Sequence, residues 1–118
     1  MTEYIIQIPN WRPATLNSLM NVHWGKVKKL KDADKAMVAT YGRNIPKATG
    51  KRRVTFSILT PKGMRKVDPD SILKSGLDAL VCCGLLVDDS DKYVEVMPVT
   101  QGRPEVAWRG TLIRLEDI

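Results

Sequence analysis

The sequence has few of the residues on which several common enzyme classes depend. It contains one histidine, His23, and its two cysteines, Cys82 and Cys83, are neighbours that cannot close an ordinary disulfide loop. We interpret the cysteines as small apolar residues at a helix end. This set lacks the ligand spacing of a typical zinc site, and no nucleophile-elbow motif accompanies His23. The nearest approach to a phosphate-binding P-loop, residues 49–52, lacks the upstream glycine and the hydroxyl after lysine.

Long apolar runs are also missing. No segment approaches the roughly 18 apolar residues that a membrane span needs, and the N-terminus lacks a signal-peptide pattern, so we expect a cytoplasmic protein. With 118 residues, 43% of them hydrophobic, the chain fits one domain over residues 1–118. The core of such a domain is small, and a partner subunit that covers part of its apolar surface would stabilise it.

The net charge of +6 is distributed unevenly along the chain. Residues 1–67 carry 14 lysines and arginines against three acids, whereas residues 68–118 carry five basic residues against ten acids. Six of those ten acids fall between Asp68 and Asp91. A basic half beside an acidic cluster suits a protein that holds a polyanion and presents a metal ion to it, but a solvated basic surface explains the charge equally well.

The spacing of apolar residues predicts an α/β (α+β) domain, with two main helices and a mixed sheet of about four strands in the order β-α-β-α-β-β. Residues 10–25 show no steady period and are expected to form a long loop, which in a compact domain is often functional. The elements are predicted as strands at 4–8, 53–59, 93–99 and 106–115, and helices from 26 to about 44 and from 69 to about 83.

Acidic residues surround the second predicted helix. Asp68 followed by Pro69 is a strong helix start, with aspartate as the N-cap and proline at the first helical position. Asp70, Lys74 and Asp78 follow at intervals of four and therefore share a helix face. The structural alternatives are a well-capped helix, an ordinary ion pair at Lys74 and a solvated Asp78.

A turn at Gly84 separates this helix from Asp88 and Asp89, and we expect the turn to bring both aspartates toward the start of the helix. Several carboxylates held together oppose joint ionisation unless a cation neutralises them. Mg²⁺ or Mn²⁺ suits carboxylate oxygens, binds phosphate and lowers the pKa of a bound water. The alternative is that Asp88 and Asp89 belong to an ordinary polar turn.

This ordered set of residues resembles the core motif of the RusA family of Holliday-junction resolvases. The shared pattern is Asp-x-Asp at a helix start, Lys four residues later, Asp-Ala-Leu one turn on, then Gly and Asp-Asp. The stretches Asn17-x-x-x-Asn21-x-His23-Trp24 and Met97-Pro98-Val99-Thr100 are also similar to family sequences. The chain departs from the pattern at Ser71, where family members usually have asparagine, and Pro69 between the aspartates is unusual.

The resemblance implies a Mg²⁺-dependent DNA endonuclease that cleaves four-way junctions as a homodimer, acting in DNA recombination and repair near the nucleoid. By motif position it implies Asp68, Asp70 and Asp89 as catalytic and metal-binding residues, with Asp88 as a further candidate ligand and Lys74 as their basic companion. Two alternatives remain: a nuclease for flaps, forks or RNA, and a junction- or duplex-binding protein that does not cut. Both aspartate pairs and Lys74 favour an enzyme, because a pure binder has no need of acids beside DNA.

Basic residues outside the acidic cluster are candidates for DNA backbone contacts, which position a substrate without reading its sequence. In the long loop, His23 is expected near a phosphate, whereas Trp24 is expected to anchor the loop to the core rather than to stack on DNA. Trp11 and Trp108 are expected to be packing residues. The candidate DNA contacts are His23, Lys26, Lys28, Lys29, Lys31, Arg52, Arg53, Arg65 and Lys66.

Overall fold

Two helices cover one face of a mixed β-sheet. The structure, a computed structural model, describes residues 2–13, 24–59, 69–102 and 110–118, without the side chains of Trp24, Lys26 and residues 69–71. In chain order the described elements are β1 (Glu3–Pro9), α1 (Trp24–Tyr41), β2 (Arg52–Leu59), α2 (Pro69–Cys82), β3 (Val94–Val96), β4 (Thr100–Gly102) and β5 (Gly110–Asp117).

The long strands lie side by side in the order β1, β5, β2, and the central strand β5 is antiparallel to both of its neighbours. The other edge of β2 pairs in parallel with β3 near its start and with β4 near its end. Between β3 and β4, the backbone N–H of Met97 still donates to the carbonyl of Val54 (2.9 Å). Pro98 follows and has no N–H to donate, which interrupts the ladder and divides this edge into two short strands.

Alternating burial shows which face of the sheet holds the core. In β2, Val54, Phe56 and Ile58 are buried, while the residues between them are only partly covered. The inward side chains of β1 and β5 continue this layer, and Val38 of α1 and Leu80 of α2 pack onto it. The opposite face is polar and carries cross-strand ion pairs, including Arg114 with Glu3 at 2.8 Å and Arg53 with Glu95 at 3.3 Å.

A glycine sets the close approach of α2 to the sheet. A Cβ placed on Gly76 would lie 2.8 Å from the Phe56 ring and 3.3 Å from Pro13. Because the Phe56 ring is fully buried, it has little space into which it could move. Gly76 therefore holds the helix that carries the acidic residues against β2.

The predicted fold class is confirmed: the described residues form an α+β domain with two helices and a mixed sheet. Three details differ from the prediction. Helix α1 begins at Trp24 and ends at Tyr41, the predicted strand at 93–99 is shorter and is followed by β4, and the last strand continues to Asp117. Residues 106–109 of that predicted strand lie outside the described residues. In the described parts of the chain, neither helix combines the length and apolar character that a bilayer span requires.

Candidate active site

Helix α2 carries a stripe of charged residues along its length. Asp70 lies in its first turn, and although the side chains of residues 69–71 are outside the description, the backbone there is helical. Lys74 is exposed and Asp78 is half-buried. A helical rise of about 12 Å separates the Cα atoms of Asp70 and Asp78, so the stripe extends over two turns. Asp68, the predicted N-cap, lies outside the described residues.

The end of α2 turns the chain through a glycine. Gly84 has a positive φ of 76°, a conformation that glycine adopts without steric cost. Its N–H donates to the carbonyl of Val81 (3.0 Å) and the N–H of Leu85 to the carbonyl of Leu80 (2.9 Å), which is the Schellman pattern of a helix end. Leu85 and Leu86 are then buried in the core and fix the direction of the following segment.

This turn places Asp88 and Asp89 beside the C-terminal half of α2. Both line an open depression of about 340 Å³ together with Asp78. We expected Asp88 and Asp89 to approach the start of α2. The described residues of α2 beside them in the depression lie about two turns or more from that start. The backbone N–H of Asp89 donates to Oδ1 of Asp88 (2.8 Å), so the Asp88 side chain holds the local turn. We call this depression the carboxylate cleft; its lining comprises Lys31, Lys35, Asp78, Val81, Cys82, Asp88 and Asp89.

The opposite wall of the carboxylate cleft is basic. Lys31 and Lys35 come from α1, are one turn apart, and are half-buried. Among the side chains that the structure describes, neither lysine forms an ion pair within 4.0 Å of a carboxylate. Three carboxylates and two lysines that the structure describes therefore line one depression without an ion pair within 4.0 Å between them.

The cleft donors are chemically suited to a hard divalent cation, because carboxylate oxygens are the ligands that Mg²⁺ and Mn²⁺ prefer. Within the described residues, no three His, Cys, Asp or Glu side chains are grouped closely enough to hold a metal ion. Two of the predicted ligands are not among those side chains: Asp68 lies outside the described residues, and Asp70 is described only by its backbone.

A buried carboxylate ties α1 to α2 and to the segment after β1. Asp34 is 4% exposed and accepts hydrogen bonds from Ser75 Oγ (2.5 Å) and Trp11 Nε1 (3.1 Å). Ser75 directly follows Lys74, so this contact fixes the helix at the level of the proposed basic companion. Trp11 also packs against the core, as predicted, whereas Trp108 lies outside the described residues.

The predicted DNA contacts occupy several environments. Lys28 and Lys29 are exposed on α1, Lys31 lines the carboxylate cleft, and Lys26 belongs to the same helix with its side chain outside the description. Arg53 is partly exposed and pairs with Glu95 and Glu116 on the outer face of the sheet. His23, Arg65 and Lys66 lie outside the described residues.

Arg52 requires a correction, because the structure does not offer it to DNA. Its side chain is 3% exposed, and its Nε donates to Oδ1 of Asp117 (2.7 Å). Its other nitrogens donate to the carbonyls of Leu85 (2.9 Å) and Pro46 (3.0 Å), and the guanidinium lies 5.1 Å from the centre of the Tyr4 ring. Arg52 thus joins the sheet to the segment after α2 and is a structural residue.

Sequence reasoning gave too little weight to three residues. Asp78 was treated as a solvated carboxylate, although its interval of four from Lys74 already placed it on the same face. Lys35 is absent from the predicted DNA contacts, because the sequence does not show which element packs beside it. Asp34 falls on the apolar spacing of α1, and a carboxylate at such a position is the signal of a buried hydrogen-bonded acid.

The cysteines partly match their predicted role at a helix end. Cys82 is the last residue of α2 and is exposed, whereas Cys83 is half-buried and its thiol donates to the carbonyl of Lys35 (3.5 Å). Burial raises the pKa of the Cys83 thiol above its ordinary value, and the neighbouring Cys82 adds to this effect. Cys83 is therefore a poor nucleophile at neutral pH.

Comparisons of this chain with models of known protein families and with curated proteins find no match. The resemblance to the RusA family consequently depends on the residues themselves.

Proposed function

We propose that this protein is a Mg²⁺-dependent, structure-selective DNA endonuclease that resolves four-way junctions by paired phosphodiester hydrolysis. The observation that supports it best is the carboxylate cleft, which Asp78, Asp88 and Asp89 line together with two lysines of α1. The helix that supplies Asp78 also carries Asp70 and Lys74, two further members of the resolvase-like motif.

In this proposal the ligands of Mg²⁺, with Mn²⁺ as a substitute, are those that the resemblance implies: Asp68, Asp70 and Asp89, with Asp88 as a further candidate. Of these, Asp88 and Asp89 line the carboxylate cleft, beside residues of α2 that lie about two turns or more along the helix from Asp70. The bound cation would neutralise charge on the scissile phosphate and lower the pKa of a water molecule that attacks it. Lys74, exposed one turn beyond Asp70, binds the scissile phosphate or orients a carboxylate.

The lysines of α1 have a separate task. Lys31 and Lys35 bind non-bridging phosphate oxygens on the wall opposite the acids. Without a cation, the carboxylates repel the same phosphates, so the protein's own charges make productive binding depend on the metal. Exposed Lys28 and Lys29 extend the basic surface along α1 and add contacts that weaken with salt.

A cleavage assay on synthetic four-way junctions, duplexes and flaps, with Mg²⁺ or with EDTA, tests the proposal. Asp70→Asn should abolish cutting and leave junction binding equal or tighter, because asparagine keeps the shape and removes a charge that repels phosphate. Asp32→Asn, at an exposed acid of α1, is the matched control and should cut normally. Parallel loss of binding and cutting in Asp70→Asn would show instead that Asp70 is structural, and wild-type cutting in EDTA would exclude the metal.

We further propose that the working unit is a symmetric homodimer. Resolution needs two cuts in strands of like polarity, and a two-fold dimer presents two identical sites with the symmetry of an open junction. Mixing wild-type and Asp70→Asn subunits should yield heterodimers that nick a cruciform plasmid to open circles, whereas wild-type dimers give linear product. A monomer in sedimentation that linearises the plasmid in one encounter would contradict the dimer.

A further inference from the structure

A second depression adjoins the carboxylate cleft and has the opposite electrostatic character. It runs between the C-terminal part of α1 and the end of α2, and its basic lining residues are Lys35, Arg43 and Lys47. Among the described side chains that line it, none is acidic. We call this depression the basic groove.

The carboxylate cleft and the basic groove adjoin, because Lys35 and Cys82 belong to the lining of both. A strand bound in the cleft that extends past Cys82 would therefore lie next to the basic groove. Lys35 lies at the boundary, so its positive charge contributes to both the cleft and the groove.

Apolar residues also line the basic groove, and of these Ala39 is exposed and Ile45 half-buried. Basic side chains beside some apolar surface suit a nucleic-acid strand, whose phosphates carry the negative charge and whose sugars are less polar.

A hydrogen bond to the end of α2 holds the ammonium group of Lys47 in this groove. Lys47 Nζ donates to the carbonyl of Cys83 (2.9 Å), where a positive charge also compensates the C-terminal dipole of α2. A Cβ on Gly84 would lie 2.6 Å from Cδ of Lys47, so the glycine leaves space for the lysine stem. Arg43, which also lines the groove, is exposed and forms no ion pair with a described carboxylate.

We propose that the basic groove binds the substrate strand adjoining the scissile phosphate, as a sequence-independent subsite for single-stranded DNA. This inference rests on the proposed function, since it takes the carboxylate cleft as the place of cleavage. Arg43 and Lys35 contact phosphates, while Lys47 contributes charge from its fixed position at the helix end.

Exposed Cys82 provides a direct test at the boundary of cleft and groove. The rate of Cys82 alkylation is measured in a Cys83→Ser background, in EDTA, with and without an oligothymidylate of about ten nucleotides, which is within the usual size of a single-strand site. At about ten times the Kd, mass action leaves about a tenth of the sites open, so alkylation should slow about tenfold. Unchanged alkylation at saturating oligonucleotide would overturn the proposal.

Charge reversal identifies the groove as the source of the protection. Arg43→Glu should weaken oligonucleotide binding and abolish protection at the same concentration, whereas Lys51→Glu, at an exposed lysine outside both linings, should retain it. The neutral Arg43→Gln should lower the salt dependence of binding by about 0.7 in log–log slope, the value for one lost single-strand phosphate contact. Equal effects of Arg43→Glu and Lys51→Glu would refute the site, as would equal protection by polyglutamate, which would indicate an acidic polypeptide as the ligand.

The result is independent of cleavage, because the assay contains EDTA and measures only thiol reactivity and binding. Protection without nuclease activity in Mg²⁺ would retain the groove and reject the proposed function. Nuclease activity without protection would do the reverse.

Discussion

Replacing Arg52 with methionine tests whether Arg52 stabilises the fold or contacts DNA. Methionine keeps an unbranched apolar side chain but removes the guanidinium and all its hydrogen bonds. The residue is 2% exposed, and it bonds to the Asp117 carboxylate and to the carbonyls of Leu85 and Pro46. We expect a loss of stability with no specific loss of DNA affinity.

The loss of stability in Arg52→Met depends on which hydrogen-bond partners of Arg52 can bond to water instead. Asp117 has a side chain 46% exposed, so its ion pair contributes at most about 1 kcal/mol. The bond to the Leu85 carbonyl is buried, and leaving that acceptor unpaired costs about 1–3 kcal/mol. The cation–π contact with Tyr4 adds about 0.5–1 kcal/mol. The total is about 3 kcal/mol, below the about 6 kcal/mol expected as the minimum stability of a domain of this length.

Urea unfolding measures this loss as a decrease of about 1–3 M in the midpoint, for the m-values usual in small domains. Arg53→Met is the matched control, because Arg53 is 32% exposed and its surface ion pairs contribute little. The salt dependence of duplex binding should be unchanged in Arg52→Met. A midpoint equal to that of the wild type, or a salt slope reduced by about 0.9 for one lost duplex contact, would refute the structural assignment.

Three further predictions concern α2 and its end. Gly76→Ala should lower the free energy of unfolding by about 1–2 kcal/mol in urea, because overpacking of the core outweighs the gain in helix propensity. Gly50→Ala is the control and should be nearly neutral, because there is open space around its Cβ. Lys74→Ala should lower the cleavage rate about 100-fold, whereas the control Lys92→Ala should not, with circular dichroism showing that both proteins are folded. A wild-type cleavage rate in Lys74→Ala would show that Lys74 is an ordinary surface lysine. In a variant without the other cysteine, alkylation of Cys83 should keep accelerating as pH rises beyond 9.0, the ordinary pKa of the thiol, because burial raises the folded pKa. The stability that the neutral Cys83 thiol contributes is present below pH 9.0 and is lost as the pH rises through the pKa of the thiol in the folded protein. An alkylation rate that levels off below pH 9 would contradict the raised pKa.

The sequence by itself predicted the two helices and the long strands β1 and β2, because the signals for them are local; it did not predict the division between β3 and β4. Alternation in β2 predicted a strand with one buried face, Pro69 marked the first residue of α2, and Gly84 marked the turn two residues after its last residue, Cys82. The interval of four between Asp70, Lys74 and Asp78 likewise placed them on one helix face without further information. These inferences need only the geometry of a helix or a strand.

Only the tertiary structure decided which charged residues are buried and which face one another. Arg52 has the same sequence character as its neighbour Arg53, but its register in β2 points it inward, where it meets Asp117, 65 residues away. Lys35 and Asp89 belong to segments more than 50 residues apart and line one cleft only because α1 packs beside the end of α2. The exposure and partners of a charged side chain depend on such long-range packing, and for that reason local sequence patterns could not distinguish a structural arginine from a basic surface residue.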